Sequence, residues 1–172
     1  TEAVLDLDAS VLAIQGPPGS GKTFVGSRVI KELVDQGMKV GVVANSHSAI
    51  ENLMWACLEA GVSPDAMAKK TQAGDKEAKG WLTPTTNKVA SSWRAGNSGY
   101  VFGGTSWSFC AKEMFEEQFD YIFIDEAAQF SLVDAIAVSA NTKNLVLLGD
   151  PRQLTQVVQA IHPGGVDNSA LG

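Results

Sequence analysis

Cysteine, histidine and long apolar runs are what this sequence has least of. Among 172 residues there are two cysteines and two histidines. Cys57 and Cys110 stand far apart, without metal-ligand spacing, and read as small apolar residues of a reducing compartment. His47 and His162 are too isolated to build a metal centre. The longest apolar stretches, such as "NLVLLG" at 144–149, are far shorter than the roughly 20 residues of a membrane helix. The opening "TEAVLDLDAS" lacks the basic start and cleavage site of a secretory signal. The expectation is a cytoplasmic protein with no membrane partner, or one whose targeting segment has been trimmed. Positive charge is scarce too. With 13 Lys and Arg against 19 Asp and Glu, the net charge of −6 disfavours nucleic acid as a partner if taken globally. Its distribution is uneven, however. Lys69, Lys70, Lys76, Lys79, Lys88 and Arg94 face only Asp75 and Glu77 within one interval, which reads either as a solvated face or as a phosphate-binding patch.

What the chain does contain is a phosphate cradle. In "AIQGPPGSGKTF", residues 13–24, Gly16, Gly19, Gly21, Lys22 and Thr23 satisfy G-x-x-x-x-G-K-[ST] between an apolar run and a helical pattern. Glycines there let successive N–H groups of residues 19–23, Ser20 included, point inward at an anion. Lys22 carries charge to the β and γ phosphates, and the Thr23 hydroxyl is placed to ligate Mg²⁺.

Alternating strand and helix signals run through the rest. Strands are expected at 11–14, 40–44, 100–103, 121–124 and 145–148, with helices at 22–36, 48–60, around 109–117 and at 132–139. About five short apolar strands separated by helices predict an α/β fold, a parallel sheet covered on both faces. Hydrophobic content of 45% over this length suits one domain, residues 1–172. Residues 61–98 break the pattern and read as a small insertion or mobile subregion, pinned by Trp81 and Trp93. Two strands end in polar tips. "YIFIDEAAQ" brings Asp125 and Glu126 to the carboxyl edge of the sheet, where the cradle also opens. Asp125 is suited to holding Mg²⁺ and Glu126 to deprotonating a water. "NLVLLGDPRQL" presents Asp150, Arg152 and Gln153 after Gly149, with Gln153 placed to sense a γ phosphate.

In order and spelling, "GPPGSGKT", "VVANSHSAIENL", "VFGGTSW", "IDEAAQ" and "GDPRQL" resemble motifs I, Ia, Ic, II and III of superfamily 1 helicases. The DEAAQ spelling is most similar to the 5′-to-3′ branch that includes the nonsense-mediated-decay and Sen-type helicases. The resemblance implies a RecA-like P-loop NTPase domain, the first of two motor domains, using ATP and Mg²⁺. It implies ATP roles for Lys22, Thr23, Asp125, Glu126 and Gln153, with Gln129 near the attacking water or the γ phosphate. Ser46, His47, Thr105 and Ser106 are implied to face the sugar-phosphate track of single-stranded DNA or RNA. His47 and Ser48 depart from the commoner spelling of their motif. Trp107 is expected in the core, with stacking on a base as the alternative. Motifs IV to VI are not found after Leu154, so the chain is expected to be one half of a motor whose second RecA-like domain supplies arginines.

Other P-loop chemistries fit less well. A GTPase needs N-K-x-D, and "NKVA" at 87–90 lacks the Asp. A metabolite kinase needs a lid and a differently placed base, and a pure nucleotide clamp has no use for Glu126 and Gln153. For Gln153 to reach the γ phosphate, strand 145–148 must lie between strands 11–14 and 121–124.

Overall fold

The computed structural model describes residues 2–71, 80–153 and 168–171. A short helix α1 (Glu2–Leu5) leads into β1 (Val11–Gln15), α2 (Lys22–Asp35), β2 (Lys39–Val43) and α3 (His47–Glu59). Then come β3 (Met67–Lys69), α4 (Asn87–Ala95), β4 (Tyr100–Gly104), α5 (Ser106–Phe109), β5 (Phe119–Ile124), α6 (Leu132–Ser139) and β6 (Thr142–Gly149). Helix starts follow local chemistry. Ser46 accepts a hydrogen bond from Ala49 N at 3.1 Å, Thr86 from Val89 N at 3.2 Å and Ser131 from Asp134 N at 3.0 Å, each satisfying an N–H the helix cannot.

The strands form one sheet in the order β1-β6-β5-β2-β4-β3, every pairing parallel. Strand β6 lies between β1 and β5, as the role expected of Gln153 requires. Alternation along each strand sorts its side chains onto two faces. Val40, Val42, Val101, Phe123, Val146 and Leu148 pack with Ile30 and Leu33 of α2 and Ile50 and Leu53 of α3. On the other face Val43, Phe102, Ile122, Ile124, Leu145 and Leu147 pack with Phe109, Met114, Ala135 and Val138. Each fully buried aliphatic or aromatic side chain contributes about 1.5–3 kcal/mol, so these two layers fix the sheet between its helices.

Three expectations are corrected. The sheet has six strands among the described residues, not about five, because Met67–Lys69 inside the irregular interval pairs with β4 in register with Val101–Gly103. A three-residue strand carries too little periodicity to register. The helix expected around 109–117 is instead the single turn α5 followed by a 3₁₀ turn, Lys112–Glu116. The carbonyls of Met114 and Glu117 accept from the guanidinium of Arg94, which takes the place of helical partners. Among the described residues, the basic side chains of this interval do not form one exposed patch. Arg94 is buried, donates to Tyr100 Oη at 2.9 Å and lies over the Phe119 ring at 3.9 Å. Lys69 is 1% exposed and pairs with Glu51 of α3 at 2.6 Å. Lys70 donates to the carbonyls of Thr71 and Thr85, while Lys88 is exposed. Lys76, Lys79 and His162 lie outside the described residues. Trp81 and Trp93 do pin this interval, Trp81 against Trp55 at 4.8 Å and Trp93 against Tyr100 at 5.3 Å.

Candidate active site

Backbone bonds between strand ends gather the three polar motifs before any side chain acts. Gly16 N donates to Gly149 O at 3.2 Å, Ala127 N to Leu148 O at 2.9 Å and Asp125 N to Val43 O at 2.9 Å. Gly149 is required by close approach. A Cβ there would stand 2.5 Å from Leu171 and 3.1 Å from Ala128 N. The cradle is closed by left-handed backbone at Gly19 and Gly21, with φ of +77° and +84°. Gly21 also caps α2 without a side-chain bond, so the first N–H groups of that 14-residue helix remain available to an anion. Ser20 N donates to Pro17 O at 3.1 Å and tightens the loop.

A cleft of about 230 Å³ opens over this edge. It brings together Gly19, Lys22, Thr23, Asp125, Glu126 and Gln153, and adds Pro18, Gly149 and Asp150. Lys22 Nζ folds back onto the loop's own carbonyls, 2.6 Å from Gly16 O and 3.1 Å from Pro17 O. Asp125 is buried at 8% exposure, and its Oδ1 accepts from Glu126 N at 2.9 Å. Burial pushes the Asp125 carboxyl from its ordinary 3.8 up to about 6, with the N–H of Glu126 opposing that rise. The charge of Lys22 opposes the rise as well, without offsetting it. Glu126 is exposed and holds φ of +53°, a conformation unusual for a residue with a Cβ. An anion-seeking loop, an ammonium, a hydroxyl and a desolvated carboxylate on one wall are the donor set that a magnesium–nucleoside triphosphate fits.

Gln129 does not line the cleft. Its N–H donates to Glu126 O at 2.8 Å, and its carbonyl accepts from the side-chain amide of Asn45. Sequence reasoning missed Ala49 and Asn52, which α3 contributes to the cleft. Ala49 and Asn52 stand three apart in α3, on one face of the helix, and that spacing was the available signal. The four residues implied to face a nucleic-acid track sit at the same edge. Register Val43↔Gly104 sets the ends of β2 and β4 side by side, so Ser46 and His47 emerge next to Thr105 and Ser106. Ser46 and His47 are exposed and Thr105 and Ser106 half-buried. Trp107, expected in the core, is 87% exposed. Phe109 takes the interior place, 5.0 Å from the Phe119 ring.

A parallel sheet wound on both sides, with a P-loop after its first strand and carboxylates after β5, defines a RecA-like P-loop domain. The sequence signature of a family described as an AAA domain matches residues 1–170, and the chain belongs to that family. It is 28% identical over 170 residues to the DNA replication ATP-dependent helicase/nuclease DNA2 of Saccharomyces cerevisiae, covering 91% of this chain and 11% of that protein. The arterivirus nonstructural protein 10 helicase, solved with DNA, shares the fold at a TM-score of 0.56 and 21% identity. That match covers 92% of this chain and 33% of the viral one. The UvsW helicase of bacteriophage T4 matches at a TM-score of 0.57 and 15% identity, over 83% and 47%. The chain thus spans a minor part of each of these proteins. Among the described residues no helix is long and apolar enough to cross a membrane.

Proposed function

We propose that this chain is the ATP-binding motor domain of a superfamily 1 helicase that couples ATP hydrolysis to movement along single-stranded nucleic acid. The observation that carries the reading is the convergence of Lys22, Thr23, Asp125, Glu126 and Gln153 on one cleft from three separate strand ends. Lys22 leaves its loop carbonyls for the β and γ phosphates, and the N–H groups of residues 19–23 bind the phosphate chain. Thr23 and Asp125 hold Mg²⁺, which when bound neutralises charge on the phosphates. Glu126 accepts the proton of the attacking water, and Gln153 contacts the γ phosphate from β6. Gln129 acts from behind through its backbone bond to Glu126. Ser46, His47, Thr105 and Ser106 hold the sugar-phosphate track. The name of the yeast relative makes DNA the first track to try.

The 5′-to-3′ branch assignment rests on the spelling of residues 125–129 and belongs to the same proposal. So does the domain division, in which residues 1–172 form one motor domain of an intracellular protein, completed by a second RecA-like domain. The short share of each relative that the chain covers supports this. An arginine supplied from outside a P-loop domain is worth about 10³–10⁵ in turnover. The test is ATP turnover of the 172-residue chain with and without single-stranded DNA. Turnover far below about 1 per second under both conditions is expected. Strong stimulation to that rate or faster would overturn the division of the site.

A further inference from the structure

The geometry points to Trp107 as a platform on which a nucleobase of the bound strand stacks. This inference rests on the nucleic-acid reading above and gives the track a contact to bases as well as phosphates. Three tryptophans have ring neighbours, Trp55 with Trp81 and Trp93 with Tyr100. Trp107 stacks on no other ring among the described residues and is 87% exposed, against 45% for Trp55. Its position explains why an indole is left so open. It follows Thr105 and Ser106 directly at the end of β4, on the edge where Ser46 and His47 emerge from β2. In the single turn Ser106–Phe109 the side chains diverge, and Phe109 takes the buried side.

The surroundings select a base over a phosphate. Ser106, Trp107, Cys110, Asp134 and Ala137 line one shallow depression of about 190 Å³. The carboxylate of Asp134, which accepts from Ser131 Oγ at 2.8 Å, repels a phosphate but tolerates the uncharged face of a base. Every base has such a face, so the contact is indifferent to sequence, as a translocating motor requires.

The experiment titrates the 172-residue chain into fluorescein-labelled oligothymidylate at low salt, where phosphate contacts are strongest. Trp107→Ala is expected to raise Kd roughly 5- to 150-fold, the range for loss of one base–aromatic stack, and Trp107→Phe to recover most of that loss. Intrinsic fluorescence of the wild type is quenched on binding, and in Trp107→Ala the quench is lost. An abasic oligonucleotide binds wild type and Trp107→Ala alike. Removal of so exposed a ring leaves the denaturation midpoint unchanged. Trp107→Ala binding oligothymidylate as tightly as wild type overturns this inference alone, and leaves the ring with exposed Val133 and Ile136 as a protein-facing surface. An equal loss on the abasic strand overturns it as well. Wild type failing to bind any single strand overturns the nucleic-acid reading, and this inference with it.

Discussion

Asp125 shows how a single residue records the work of the site in the stability of the chain. Its carboxyl titrates near 6 when folded and near 3.8 when exposed, so between those values the folded state holds the extra proton. Stability therefore falls as pH rises from about 4 to 6 and is level above, the reverse of the usual paired carboxylate. Asp125→Asn keeps an oxygen for Glu126 N and removes the charge. Without Mg²⁺ and nucleotide, this variant is expected to be more stable than wild type at pH 7.5 by on the order of 2–3 kcal/mol. The gain should vanish near pH 4. Denaturant unfolding at the two pH values measures it, and a variant less stable at both would show that burial of Asp125 imposes no such cost. Glu126 carries a second cost, its left-handed backbone. Functional sites are where such strain collects, because the geometry is held by its surroundings.

At the scale of elements, the buried pair between Lys69 at the end of β3 and Glu51 of α3 ties the edge strand to the helix behind it. Lys69→Ala removes a fully buried ammonium together with its bond to Glu51 and is expected to cost about 3 kcal/mol, since breaking a buried pair is expensive. A shift of the denaturation midpoint reads this directly. A variant of unchanged stability with weakened single-strand binding would restore the phosphate-patch reading. This pair also marks where the sequence was readable and where it was not. Lys22–Asp35, Leu132–Ser139 and the central strands were legible because their apolar period is long and their caps are local. Lys69 and Arg94 were not. Lysine and arginine in an irregular interval look solvated until the partners appear, and here those partners, Glu51 and the Met114 and Glu117 carbonyls, lie 18 to 23 residues away. The cleft was legible residue by residue, because each motif sits at a strand end. What the motifs did not disclose was α3, whose Ala49 and Asn52 reach the cleft.

For the whole molecule, the sheet is a frame that brings several loops to one edge. The P-loop follows β1, the candidate track residues follow β2 and β4, the acid pair follows β5 and the Gln153 loop follows β6. The side-chain amide of Asn45 bridges the β2 loop to the carbonyl of Gln129, so the candidate track loop is tied to the loop that follows β5. The proposed function requires the first of these sites to hold a nucleotide through Lys22. Its most direct test is calorimetric titration of ATP into the chain with Mg²⁺, alongside Lys22→Ala and Glu126→Gln. Lys22 bonds only to carbonyls of its own loop among the described residues, so its removal leaves the fold intact. The account predicts one ATP per wild-type chain, affinity weakened roughly 10- to 150-fold in Lys22→Ala as a charged hydrogen bond is lost, and Glu126→Gln binding like wild type. ATP bound by Lys22→Ala as tightly as by wild type would contradict it.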